Sequence, residues 1–129
     1  MKSLDKNARK IVRKYLQEGL SKFGYIVKQH TGDAITINLN TFTINGQPDI
    51  LRLAYVAGNM HYVDSRSGKN ILIVDDSNRI GRLEDPEFTS KVSSFVKSMH
   101  RAKLKERMIL YQKQLEIVKD EIDLIDNPE

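Results

Sequence analysis

From Glu87 to Asp126 the chain runs about 40 residues with no glycine and no proline. Nothing in that stretch interrupts helical hydrogen bonding, so a long C-terminal helix is the element every fold for this sequence must accommodate. Asp85-Pro86-Glu87 supplies its start, with Asp85 as cap and Pro86 at the first helical position. At 1.5 Å per residue such a helix would reach ~60 Å. A compact domain of this length is only ~35–40 Å across. The helix must therefore bend near residues 99–104 or run out beyond the body of the domain.

Two apolar patterns divide this helix. Phe88, Val92, Phe95, Val96 and Met99 form one stripe suited to packing on a sheet. A second begins at Leu104, rotated by roughly 140° from Met99 at 100° per residue. It comprises Leu104, Met108, Tyr111, Leu115, Val118, Ile122 and Ile125, spaced alternately by four and three residues. That alternation keeps one narrow seam facing a partner helix. With Leu104 at position d, the a positions are Met108, Leu115 and Ile122. Leu110, Ile117 and Leu124 add a further stripe one residue before each later d position. The apolar face is thus wider than a two-stranded seam needs, which suits a bundle or insertion into a groove. A parallel homodimer is poorly specified, because Glu121 at g would face Asp126 at e. The same stripe would also serve packing within the chain.

The remainder reads as one helix and a sheet. Residues 3–23 are amphipathic, with Leu4, Ala8, Ile11, Val12, Tyr15, Leu16 and Phe23 on one side and Lys2, Lys6, Arg9, Lys10 and Arg13 opposite. Ser3 is the expected N-cap and Gly24 the expected stop. From residue 25 the period changes to two, as in Ile35, Ile37 and Leu39 alternating with Thr36, Asn38 and Asn40. Turn residues punctuate the region at Thr31-Gly32-Asp33, Asn45-Gly46, Gly58-Asn59 and Ser67-Gly68, and Asn45-Gly46 is the strongest hairpin signal. Strands are expected at 25–30, 34–39, 41–45, 49–56, 60–64 and 70–74, with the apolar run Ile71 to Val74 central. Asp75 to Asp85 reads as a polar connection. The expected fold is α+β: an N-terminal helix, an antiparallel meander of five or six strands, and a long C-terminal helix with a heptad-patterned end. The expected organisation is a core domain over residues 1–99 and a helical extension over 100–129.

At 129 residues, 40% of them hydrophobic and 29% charged, the chain has the composition of an ordinary globular domain. No apolar run approaches the ~18–20 residues that span a bilayer, and the charged first 14 residues carry no signal-peptide pattern. Zero cysteines exclude disulfides and thiolate metal sites. A cytoplasmic location is the expectation.

The net charge of +4 hides a segregation. Residues 1–30 carry eight Lys/Arg against Asp5 and Glu18, and residues 91–113 carry seven against Glu106. Residues 114–129 carry Lys119 against six Asp/Glu. Such asymmetry bears on partners rather than on fold. Two basic faces could contact phosphates or an acidic protein: Lys6, Arg9, Lys10 and Arg13 on the first helix, and Lys97, Arg101, Lys103, Lys105 and Arg107, with His100, before the seam. A basic stretch running into heptads is the layout of bZIP proteins. Base-reading Asn and Arg residues at that family's spacings are missing here and only about three heptads follow, so that assignment is rejected. Tyr55, His61, Tyr62 and Arg52 on the sheet lack the aromatic and glycine pattern of an RNA-binding platform.

Catalytic and metal patterns are missing. Asp33, Asp49, Asp64, Asp75 and Asp76 sit at turns and strand ends, where Asp is favoured anyway. His30, His61 and His100 have no ligand spacing, and Ser67-Gly68-Lys69 is not a P-loop. Neither a cofactor nor a metal is expected. The sequence points to a non-enzymatic accessory or regulatory protein that docks on a larger complex through Tyr111, Leu115, Val118 and Ile122. Nucleic-acid-processing machinery such as a polymerase or nuclease is the expected target, as for a modulator carried by a phage or mobile element. The alternatives are a direct nucleic-acid binder using both basic helices, and a structural homo-oligomer through the C-terminal helix.

Overall fold

The computed structural model describes residues 5–29, 32–63 and 78–128. The protein is α+β. Helix α1 (Lys6–Leu20) and a 3-10 turn (Ser21–Phe23) precede strands β1 (Ile26–Gln29), β2 (Ala34–Phe42), β3 (Pro48–Val56), β4 (Asn59–Tyr62) and β5 (Arg79–Arg82), and helix α2 (Phe88–Asp126) follows. The strands form one antiparallel sheet in sequential order β1-β2-β3-β4-β5. The chain divides into two compact units, residues 1–97 and 98–129.

Register places the core. Val27 pairs with Ile37, Ile37 with Leu51, Ile35 with Leu53, and Tyr55 with Met60. Because successive residues alternate faces, these side chains share one face of the sheet, and all but Tyr55 are buried. Val12, Leu16 and Leu20 of α1 and Phe88, Val92 and Val96 of α2 complete the core. Tyr62 meets Phe95 with ring centroids 5.7 Å apart. Val12 lines a residual void of only about 10 Å³ with Ile35, Tyr55 and Met60.

Helix α1 begins one turn inside the charged N-terminus. Asp5, not the expected Ser3, is the cap, and its Oδ1 accepts the Ala8 N–H at 2.7 Å. Gly24 terminates the helical segment in the left-handed region, as expected. The buried face of α1 is narrower than the sequence pattern indicates, since Ile11 and Tyr15 are exposed. Gln17 ties the helix to the edge strand: its amide donates to the Tyr25 carbonyl at 3.1 Å and its Oε1 accepts the Val27 N–H at 2.6 Å. An edge satisfied in this way is less available for pairing with another sheet.

Residues 34–39 and 41–45 do not form two strands. β2 continues to Phe42 through an irregularity at Asn40, which has φ 61° and whose N–H is held by Asn38 Oδ1 at 2.8 Å. Asn tolerates the left-handed region, so the strand bulges rather than ends. The β2–β3 hairpin turns at Asn45-Gly46, with Gly46 at φ 82° and its N–H on the Thr43 carbonyl. Residues 79–82, read from sequence as polar connection, form β5. The strand expected at 70–74 and the carboxylates Asp64, Asp75 and Asp76 lie outside the described residues, as do Ser67-Gly68-Lys69, His30, Lys2 and Leu4.

Gly19 lets the two helices of the first unit approach. A Cβ there would lie 2.5 Å from Thr89 Cγ2, well inside van der Waals contact. Gly19→Ala gains roughly 1 kcal/mol of helix propensity but must displace a stiff β-branched side chain, at about 1–3 kcal/mol. We expect Gly19→Ala to lower the thermal midpoint and Gly19→Ala with Thr89→Ser, which removes the opposing methyl, to melt at or above the wild-type temperature.

The start of α2 differs slightly from expectation. Pro86 and Glu87 form a turn, and the helix runs from Phe88. Asp85 still caps: its Oδ1 accepts the Glu87 N–H at 2.8 Å, and its Oδ2 accepts from the Lys91 ammonium. The Lys91 hydrogen bond, and after it the Glu87 N–H, hold the Asp85 carboxyl below the usual carboxylate range. A carboxyl lowered by folding stabilises above its unfolded value of about 4 and loses that contribution as pH falls through the lower folded value. Asp85→Asn should therefore melt below wild type at pH 7, and the difference should shrink towards zero in acid. A difference constant with pH would assign the effect to packing. From Phe88 the helix continues without interruption through residues 99–104 to Asp126.

Candidate docking helix and basic faces

Each expected anchor falls on the C-terminal part of α2. Between residues 98 and 128 no side chain is buried. Leu104, Met108, Tyr111, Leu115, Val118, Ile122 and Ile125 are 40 to 78% exposed. Leu110, Ile117 and Leu124 of the second stripe are exposed as well, and so is Ile109, which sequence reading passed over. Exposed apolar residues scattered singly are ordinary, but a contiguous set on one element marks an interaction surface. Leu104, Met108, Tyr111 and Leu115, with Arg107 and Gln112 on its sides, line a shallow concavity of about 320 Å³. Lys119 and Glu116 pair along this part of the helix at 3.8 Å and in solvent, a geometry worth at most a few tenths of a kcal/mol.

The basic residues serve more than one purpose. Arg9 does not lie on the solvent face of α1. At 100° per residue it sits within roughly 20° of Leu16, and its Nε donates to Asp33 Oδ1 at 3.0 Å across the part-buried end of the sheet. Its charge is thus engaged within the fold. Lys97 places its Nζ 4.5 Å from the Phe23 ring centroid, a cation–π contact. Lys6 and Lys10 are exposed and Arg13 is half-buried. On the C-terminal unit Arg101 and Lys105 are exposed, while Lys103 and Arg107 are half-buried.

Several of the other described residues weighed for chemistry are engaged within the fold. Asp33 holds Arg9. Asp49 is buried at the start of β3, and its Oδ2 accepts the Thr41 hydroxyl at 2.6 Å. Tyr62 packs on Phe95 and Tyr55 is half-buried, so the sheet aromatics present no stacking platform. His61 is buried on the opposite face, where its Nδ1 and the Asn59 Oδ1 have no hydrogen-bond partner among the described residues. A cleft of about 420 Å³ borders β5 and the start of α2, lined by Arg79, Glu87, Ser90, Lys91 and Ser94. Its lysine is already committed to Asp85. Among the described residues no three His, Cys, Asp or Glu side chains group as a metal site, and no helix is long and apolar enough to cross a membrane.

No protein-family model, no curated protein and no solved structure matches this chain.

Proposed function

We propose that this protein is a non-enzymatic accessory binding protein whose C-terminal helix docks other proteins of a larger assembly. The observation that carries the reading is the exposed heptad stripe from Leu104 to Ile125. A chain that fills its core with Val12, Leu16, Leu20, Val92 and Val96 and still leaves this much aliphatic surface on one helix gains by covering it. Tyr111, Leu115, Val118 and Ile122 are the anchors in this mechanism. The basic residues Arg101 and Lys105 steer the approach of an acidic surface, as segregated charge does. Nucleic-acid-processing machinery is the target class that the positive charge favours.

The test is co-purification of the protein from its native cells, with nuclease treatment and at two salt concentrations. A partner retained after nuclease at high salt, and lost with Leu115→Asp, supports the reading. A partner that Leu115→Asp retains would sink it. Direct nucleic-acid binding through Lys6, Lys10, Arg101 and Lys105, all exposed, predicts the opposite pattern: loss with nuclease and a steep fall in affinity between about 50 and 200 mM salt.

A further inference from the structure

The distribution of charge along the exposed stripe selects its first occupant. We infer that the seam of α2 pairs with the seam of a second copy of this chain in antiparallel orientation. The inference rests on the docking reading above and names what covers the seam when no target protein occupies it.

In an antiparallel pair each a residue of one helix meets a d residue of the other, and the flanks are g against g and e against e. One register places Met108 against Ile125, Tyr111 against Ile122, and Leu115 against Val118, each contact occurring twice about the two-fold axis. Every one of these side chains is exposed in the single chain. In that register the e flank sets Lys105 against Asp126 and Gln112 against Lys119, and the g flank sets Gln114 against Glu121. No like charges meet. Sliding by one heptad in one direction brings Arg101 against Ile125 in the seam and Lys105 against Lys119 on the flank. Sliding in the other sets Lys119 against Lys119 on one flank and Glu121 against Glu121 on the other.

Parallel pairing fares worse. It sets Glu121 against Asp126 on both sides of the seam and aligns basic half with basic half, acidic half with acidic half. Reversing one helix lays the stretch holding Lys105, Arg107 and Lys113 along the stretch holding Asp120, Glu121, Asp123 and Asp126. It also opposes the two helix dipoles. Charge thus fixes the orientation, while the apolar layers supply the association.

The chain has no cysteine of its own, so introduced thiols report pairing directly. The experiment uses the 129-residue chain in light scattering and in mild oxidative cross-linking. We expect a mass of twice 14.8 kDa, rapid disulfide-linked dimer for Met108→Cys combined with Ile125→Cys, and little for Met108→Cys alone. In the antiparallel register the two copies of the single variant would hold their introduced sulfurs ~25 Å apart, from about 17 residues at 1.5 Å each. Equal cross-linking of the single variant means parallel pairing and overturns the inference. A monomer at all concentrations up to about 100 μM also overturns it. Lys105→Asp should weaken the dimer several-fold, as exposed ion pairs do, and Asp126→Lys in the same chain should restore it. Failure of that rescue in a dimer that does form rejects the register. None of these failures touches the docking reading, which is judged separately by whether Leu115→Asp releases a heterologous partner.

Discussion

Leu53→Ala should lower the thermal midpoint of the α+β unit by roughly 8–40 °C. Leu53 is fully buried in the third of the five described strands, between Ile35 and Tyr62 in register. Truncating a leucine at such a site removes its transfer free energy and leaves a cavity, at about 2–5 kcal/mol. Total stability for a domain of this size is about 5–15 kcal/mol, and each kcal/mol shifts the midpoint by roughly 4–8 °C. Tyrosine fluorescence is the natural probe, because the chain has no tryptophan and Tyr25 is buried in this unit. Leu124→Ala is the matched control. Leu124 is 68% exposed and lies outside the seam, so truncation should change stability by no more than about 0.5 kcal/mol. Equal effects from the two variants would mean that the inward face of the sheet is not where this protein stores its stability.

Leu115→Asp should do the reverse: leave the fold intact and weaken association by at least about 100-fold. Leu115 is 53% exposed in the single chain, so the domain loses little beyond a small helix-propensity difference. In a covered seam the change forfeits about 1.5–3 kcal/mol of leucine burial and places an unpaired carboxylate in an apolar contact, which costs more. Sedimentation equilibrium measures the effect on self-association, and co-purification measures it on a heterologous partner. The tyrosine-monitored midpoint should stay within about 2 °C of wild type. A midpoint that collapses instead would place Leu115 inside the core of its own chain and remove the basis for docking.

The elements with local signatures were legible. The heptad stripe is written in consecutive turns of one helix, and the hairpin at Asn45-Gly46 in two adjacent residues, so both appear where periodicity and turn chemistry put them. The misreadings have long-range or single-residue causes. Asn40 reads as a strand end because Asn favours turns, yet its own left-handed backbone and the Asn38 side chain carry β2 past it. β5 has one large aliphatic residue, Ile80, and its inward position is Gly81, beside Phe88 and Lys91. A strand that contributes backbone rather than side chain to the core leaves no period-two trace. Arg9 reads as one of the solvent-facing basic residues because its partner, Asp33, lies 24 residues away. Ile11 and Tyr15 widened the apparent buried face of α1, because hydrophobicity alone does not tell a covered side chain from an exposed one.

Leu110, Ile117 and Leu124 remain outside the seam, and their position bears on stoichiometry. They sit on the side of the helix that carries Gln114 and Glu121. In an antiparallel pair that flank of one chain lies beside the same flank of the other, so both aliphatic rows would collect on a single side of the dimer. A target reading that side would meet a surface with two-fold symmetry. It would either bind one molecule per two copies of this protein or bring a matching symmetry of its own.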